Sequence, residues 1–107
     1  MLQEDKLTII WSRAAKKNFL SLDKRYQQNI EMKLGYLGDI SAPPLDIRKL
    51  KVPEDHYRLR VGDYRIIFTR SGDNDEICSV VAVLRRTSKT YAFHEEPARY
   101  EYTIYQR

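Results

Sequence analysis

The segment from His56 to Thr69 constrains the fold of this chain more than any other part of its sequence. Within it, apolar side chains occupy every second position in two short runs, which is the period of a half-buried β-strand. Gly62-Asp63 separates the runs, and a two-residue connection of this kind is typical of a β-hairpin. The segment therefore predicts two antiparallel strands whose core-facing residues are Tyr57, Leu59, Val61, Tyr64, Ile66 and Phe68.

The register of this hairpin also predicts what lies on its other face. A two-residue loop places Arg58 opposite Ile67 and Arg60 opposite Arg65. Because like charges directly across a ladder repel each other, we expect Arg60 and Arg65 to meet solvent or an anionic partner. Arg58 is expected at a non-core position on the same face.

Two helices are predicted between the N-terminus and the hairpin. Apolar residues recur at helical spacing over residues 13–22, and Ser12 is placed to cap that helix. A second helical period runs over residues 26–37, and Gly38 is a predicted stop. The short connection between them indicates a helical hairpin.

Further strands complete the predicted sheet. Residues 6–11 are rich in β-branched and aromatic side chains, and residues 76–84 are almost continuously apolar, which favours a central strand. Residues 39–53 contain three prolines and are expected to form a loop with at most a brief extended piece. The order β-α-α-β-β-β predicts an α+β fold, with an antiparallel sheet of about four strands and the helical hairpin on one face.

Length and composition limit the classes of protein to which this chain can belong. A chain of 107 residues fits one domain, residues 1–107, and its net charge of +4 is weakly consistent with a polyanionic partner. The single cysteine, Cys78, lies in an apolar run and is expected to be a buried hydrophobe without a disulfide. No stretch is long and apolar enough for a signal peptide or a membrane span, so we expect a cytoplasmic protein without a membrane partner.

Familiar catalytic motifs are absent from the sequence. It has no glycine-rich phosphate loop, no Cys/His ligand spacing and no serine nucleophile elbow, and we therefore expect neither a metal nor a cofactor. His56 is either an ordinary surface histidine or a general acid–base on the face of Arg58. His94 is expected to be a solvated residue of the tail.

Basic residues and a tyrosine remain as candidate chemistry. Lys49 and Lys51 are two positions apart, so in an extended segment they point the same way. Cations bind phosphate and a tyrosine ring stacks on bases, although a solvated charged face explains the same spacing. The further candidates for RNA binding are Arg60, Arg65, Arg86 and Lys89.

The string from Lys49 to Thr69, KLKVPEDHYRLRVGDYRIIFT, resembles the central signature of the RelE/ParE toxin superfamily. The resemblance spans most of residues 6–91 and leaves residues 92–107 as a C-terminal extension. It implies a toxin of a type II toxin–antitoxin system. Members of the RelE branch cleave mRNA in the ribosomal A site by attack of a 2′-hydroxyl on the adjacent phosphate, without a metal.

Carried over by position, the resemblance implies a catalytic set. Lys49 and Lys51 match the lysine pair, with Lys51 the better candidate for the base, and Arg58 matches the arginine that stabilises phosphate charge. Arg85 matches the general acid, and Tyr91 matches the stacking tyrosine. The last strand ends in Val-Leu-Arg-Arg, which leaves open whether Arg85 or Arg86 faces the site.

The resemblance also implies partners and alternatives. The expected partners are the ribosome with its mRNA and a cognate antitoxin, which is expected to cover the basic groove and to form a heterotetramer with the toxin. The first alternative is a ParE-like poison of DNA gyrase without nuclease activity, and the second is a non-catalytic RNA-binding relative. In the extension, Tyr100–Tyr105 alternates as a strand does, although a frayed terminus is the other interpretation.

Overall fold

The computed structural model describes residues 7–39 and 41–85, which form one sheet with two helices on one of its faces. The helices are α1, Arg13–Leu20, and α2, Lys24–Gly35, and a 3-10 turn, Tyr36–Gly38, follows α2. The strands are β1, Thr8–Trp11; β2, Ile47–Lys49; β3, Tyr57–Val61; β4, Tyr64–Ser71; and β5, Ile77–Arg85.

The strands lie in the order β1-β5-β4-β3-β2. The α+β class is confirmed, with one strand before the two helices and the other strands after them, and two details differ from the prediction. The described sheet has five strands, because the brief extended piece in the proline-containing segment pairs with β3 as an edge strand. Strand β1 runs parallel to β5, whereas the other neighbours are antiparallel. An apolar pattern specifies which residues are buried but not the direction of an edge strand.

The hairpin forms in the predicted register. Val61 pairs with Tyr64, Arg60 with Arg65, and Arg58 with Ile67. Gly62 in the turn has a φ of 59°, in the left-handed region that glycine adopts without steric cost. The register sends alternate residues of β3 and β4 to opposite faces of the sheet.

The predicted cap begins α1 and also ties the helix to the sheet. The Ser12 hydroxyl accepts a hydrogen bond from the Ala15 amide at 3.0 Å and donates one to the Val81 carbonyl at 3.0 Å. Asp23 caps α2 by accepting from the Arg25 amide at 3.0 Å. The N-terminus of α1 is therefore fixed against β5.

The main core lies between the helices and the sheet, where Phe19, Ile30 and Leu34 pack on the core-facing residues of the hairpin and of β5. A smaller apolar cluster lies on the opposite face and contains Leu50, Ile67 and Ala82. We call this second face the open face, because the buried side chains of α1 and α2 belong to the main core. Neither α1 nor α2 is long and apolar enough to span a membrane.

Candidate nucleic-acid interface

Four arginines share the open face of the sheet. Arg48 of β2 lies directly opposite Arg58 of β3, and Arg60 lies directly opposite Arg65 of β4. Residues paired across a ladder project to the same face, so both pairs lie on the side of Ile67. We call Arg48, Arg58, Arg60 and Arg65 the arginine patch.

Arg58 is buried within this patch, which corrects the expectation of a non-core position. Only 6% of the Arg58 surface is exposed. Strand β3 lies between β2 and β4, so neighbouring strands enclose Arg58 on both sides. Burial of a charge is costly unless the charge is paired. Here the Arg58 Nη2 donates to Asp46 Oδ1 at 3.0 Å, and the Asp46 side chain remains 50% exposed.

The remaining members of the patch are more accessible than Arg58. Arg48 and Arg60 are exposed and Arg65 is partly buried. The Arg60 amide donates to the Asp46 carbonyl at 3.0 Å, which continues the pairing of β3 with the segment before β2. The patch thus combines one buried, ion-paired cation with more accessible cations around it.

Arg48 is a member that the sequence reasoning missed. The signal was the buried Leu50: in an extended segment Leu50 shares a face with Arg48, and Leu50 packs with Ile67 on the open face.

The lysine pair of the candidate catalytic set lies differently. Lys49 pairs with Tyr57, whose side chain packs against the main core. The structure therefore does not bring Lys49 to the side of Arg58. Lys51 follows β2 and is exposed.

Arg85, the candidate general acid, also lies on the side of the helices. It is exposed and pairs with Tyr64, and its guanidinium carbon is 6.0 Å from the centroid of the Tyr64 ring. Tyr64 in turn contacts Tyr26 of α2, with ring centroids 5.3 Å apart. The structure does not place Arg85 beside Arg58. The other candidates lie outside the described residues, namely Arg86, Lys89, Tyr91, His94 and the Tyr100–Tyr105 segment.

His56 precedes β3 and is half-buried. Its Nδ1–H donates to the Glu54 carbonyl at 2.9 Å, which fixes the ring against its own loop. No group of three His, Cys, Asp or Glu residues within residues 7–39 and 41–85 is arranged to hold a metal ion.

Cys78 is fully buried in the main core, as the sequence predicted. Burial raises the pKa of its thiol to about 12, with a smaller opposing effect from Arg70. A thiol with this pKa stays protonated at neutral pH and packs as an apolar group.

A cleft of about 420 Å³ opens on the side of the helices and is separate from the arginine patch. Its apolar wall includes Tyr57 and Phe68, whose rings stack with centroids 5.6 Å apart. Arg70 lies at the same cleft, and its guanidinium donates to the Asp75 carbonyl. The cleft and the patch are thus on opposite faces of the sheet.

The fold is that of small toxins from toxin–antitoxin systems. The structure is similar to a chain of the archaeal RelE–RelB complex from Pyrococcus horikoshii, with a TM-score of 0.61, 23% identity and coverage of 77% of this chain and 97% of the other. The YoeB dimer from Staphylococcus aureus gives a TM-score of 0.61 at 19% identity, covering 74% and 95%. A chain of the chromosomal ParDE system of Pseudomonas aeruginosa gives 0.55 at 14% identity, covering 77% and 98%.

Residues 9–89 match the family model of the ParE toxin of the type II toxin–antitoxin system parDE. This match covers more than half of the chain, which therefore belongs to the ParE toxin family within the RelE/ParE superfamily. Comparison with curated proteins found no match. The family expected from the central hairpin is confirmed.

Proposed function

We propose that this type II toxin is an endoribonuclease that cleaves mRNA on the ribosome, and that the open face binds the RNA. The observation that carries the proposal is the buried, ion-paired Arg58 surrounded by Arg48, Arg60 and Arg65. The neighbouring arginines supply positive charge for the RNA backbone, and their attraction for it decreases as salt rises. Arg58 supplies a cation whose position is fixed before the RNA arrives.

A fixed guanidinium suits the transition state of RNA cleavage by a 2′-hydroxyl. Negative charge accumulates on the non-bridging oxygens of the attacked phosphate, and preorganised donors stabilise that charge without reorganising during the reaction. The planar guanidinium also matches phosphate geometry better than an ammonium does. We assign Arg58 the role of stabilising the phosphate in the transition state.

Proton transfer is assigned by the resemblance to the RelE branch. Lys51 remains the candidate base, with Lys49 as its neighbour, and Arg85 or Arg86 the candidate acid. Because Lys49 and Arg85 lie on the other side of the sheet from Arg58, electrostatic stabilisation by the patch is the better supported contribution. Stacking by Tyr91 and RNA contacts by Lys89 and Arg86 remain predictions outside the described residues.

A second candidate function is poisoning of DNA gyrase without nuclease activity. Two observations favour it: the family model that matches is that of ParE, and Lys49 and Arg85 do not share the face of Arg58. In this case the arginine patch would bind a protein or DNA partner instead of mRNA. Cleaved RNA would then be absent from cells that express the toxin.

We also propose a cognate antitoxin as the partner that neutralises the toxin. Several structural neighbours are named as toxin–antitoxin complexes, among them those of P. horikoshii and Methanococcus jannaschii. An acidic segment that folds on binding would complement the arginine patch, and a heterotetramer is the expected assembly. The affinity of such a complex should decrease as salt rises.

Expression in a bacterial host tests the proposed function against the alternative. Mapping of mRNA 5′ ends and of plasmid supercoiling should show new, codon-periodic mRNA ends and unchanged supercoiling. Intact mRNA together with trapped gyrase would instead identify the gyrase poison. Arg58→Met expressed to the same level is the control, since it removes the guanidinium but retains an unbranched apolar stem.

A further inference from the structure

We infer that Asp46 is a positioning residue for Arg58: its carboxylate fixes the guanidinium in the orientation that receives an RNA phosphate. This inference rests on the proposed function and adds a residue that the sequence reasoning did not select. Its basis is the contact of 3.0 Å between Asp46 Oδ1 and Arg58 Nη2. Asp46 itself does not contact the reacting atoms in this role.

The backbone holds Asp46 in place for this contact. The Asp46 carbonyl accepts a hydrogen bond from the Arg60 amide at 3.0 Å, immediately before the segment in which β2 pairs with β3. The residue that carries the carboxylate is thus anchored to the strand that carries Arg58. A carboxylate on an anchored backbone loses less conformational freedom when it forms an ion pair than one on a loose loop does.

The two partners differ in exposure in a way that fits this division of roles. The Arg58 side chain is 7% exposed and that of Asp46 is 50% exposed. The Arg58 side chain is therefore largely enclosed by its neighbours, whereas about half of the Asp46 side chain remains exposed to water. A guanidinium is a planar fork with five N–H donors, so one group can bind a carboxylate and a phosphate together.

Like charges make such a fixed orientation necessary. Arg48 lies directly opposite Arg58 in the ladder, and Arg60 projects to the same face two residues along β3. Repulsion among these cations disfavours a close arrangement unless an anion compensates it. Asp46 supplies this negative charge beside Arg58, the buried member of the arginine patch. Without it, a displaced Arg58 guanidinium would no longer align with the RNA phosphate.

A blocking role for Asp46 would have the opposite effect on RNA binding and on the cleavage rate. If Asp46 instead blocks Arg58, its carboxylate and the RNA phosphate compete for the same donors. Removal of the carboxylate would then tighten RNA binding and leave the cleavage rate equal or higher. A positioning role predicts a slower cleavage step with little change in binding, because misplacement of a catalytic group by about 1 Å can reduce a rate roughly 100-fold.

The first experiment compares Asp46→Ala, Asp46→Asn and the control Asp63→Asn in full-length toxin. Asp63 is an exposed residue of the hairpin turn, so its substitution changes the net charge equally without touching Arg58. Single-turnover cleavage of ribosome-bound mRNA gives the rate, and titration of a single-stranded RNA oligonucleotide gives the Kd. We expect Asp46→Ala to slow cleavage about 10- to 100-fold with a Kd within about threefold of wild type.

The conservative variant completes this test. In Asp46→Asn the amide oxygen still accepts a hydrogen bond from Arg58, so we expect cleavage to recover to within about tenfold of wild type. Asp63→Asn should behave as wild type. Tighter RNA binding with undiminished cleavage in Asp46→Ala, or equal rates in all variants, would overturn the positioning role.

A second measurement does not depend on cleavage. The Arg58 side-chain Nε–Hε signal should be resolved from those of exposed arginines in the NMR spectrum of wild-type protein and of Asp46→Asn. In Asp46→Ala it should move toward the signals of exposed arginines and broaden. If wild-type toxin leaves RNA intact while this signal responds as expected, the proposed nuclease fails and the positioning of Arg58 stands. An unchanged signal in folded Asp46→Ala overturns the positioning itself.

Discussion

Arg48 lies directly opposite Arg58 across the β2–β3 ladder, whereas Lys49 lies opposite Tyr57. Strand β2 has three residues, and its alternation places these adjacent cations on different faces of the sheet. Both side chains are exposed and both carry a positive charge. Substituting Arg48 and Lys49 in turn therefore tests which face of the sheet binds RNA.

Arg48→Ala is therefore expected to weaken RNA binding more than Lys49→Ala. The slope of log K against log salt is negative, and loss of one phosphate contact on single-stranded RNA reduces its magnitude by about 0.7. We expect this change for Arg48→Ala and no change of slope for Lys49→Ala. Titrations of each variant with an RNA oligonucleotide at several salt concentrations measure this slope. Equal slopes for the two variants would remove the open face as the binding surface.

Arg58→Met should separate catalysis from stability. Methionine retains an unbranched apolar stem, and the half-exposed Asp46 that it leaves behind can be hydrated. We expect the free energy of unfolding to change by no more than about 1 kcal/mol, because one partner of the ion pair already faces water. The cleavage rate should fall by about 10²- to 10³-fold, the usual effect of losing a preorganised donor. Urea denaturation and single-turnover cleavage are the two measurements.

Arg85→Ala should have a modest effect on stability and a smaller effect on cleavage than Arg58→Met has. Its guanidinium stacks on Tyr64 at an exposed position, and such a cation–π contact contributes about 0.5–1 kcal/mol. Thermal denaturation should show a small decrease in Tm. If Arg85→Ala abolishes cleavage in a protein of normal stability, Arg85 is the general acid that the resemblance implied.

Cys78 should resist alkylation until the protein unfolds. Its pKa of about 12 lies above the ordinary value of 9.0, so the reactive thiolate is disfavoured in the folded state. A raised pKa in the folded state also means that this group stabilises the fold below about pH 9, and that its contribution is lost as the pH rises toward 12. Labelling with iodoacetamide at pH 8 should be slow in native protein and fast in urea. Rapid labelling of native protein would contradict the burial.

The sequence specified the hairpin well because two local signals agree there. Alternating apolar residues define the faces of β3 and β4, and Gly62 fits the left-handed turn. The Ser12 cap was also predictable, since it depends only on a polar side chain next to a helical period. Both features are determined by residues close together in the chain.

Features that depend on distant residues were not predictable in the same way. The burial of Arg58 follows from enclosure by β2 and from a carboxylate 12 positions away, and neither has a local pattern. The placement of Lys49 depended on the bounds of a three-residue strand, where a shift of one residue exchanges the faces. The same dependence on register decides the side of the sheet on which Arg85 lies.

Cleavage by purified toxin tests the central claim most directly. Ribosomes programmed with a defined mRNA are mixed with wild-type toxin or with Arg58→Met, and the RNA products are mapped at nucleotide resolution. The proposed mechanism predicts cuts within the A-site codon, products with a 2′,3′-cyclic phosphate from attack by the 2′-hydroxyl, and a rate at least about 100-fold lower for Arg58→Met. Intact mRNA with wild-type toxin, or equal cleavage by Arg58→Met, would contradict it.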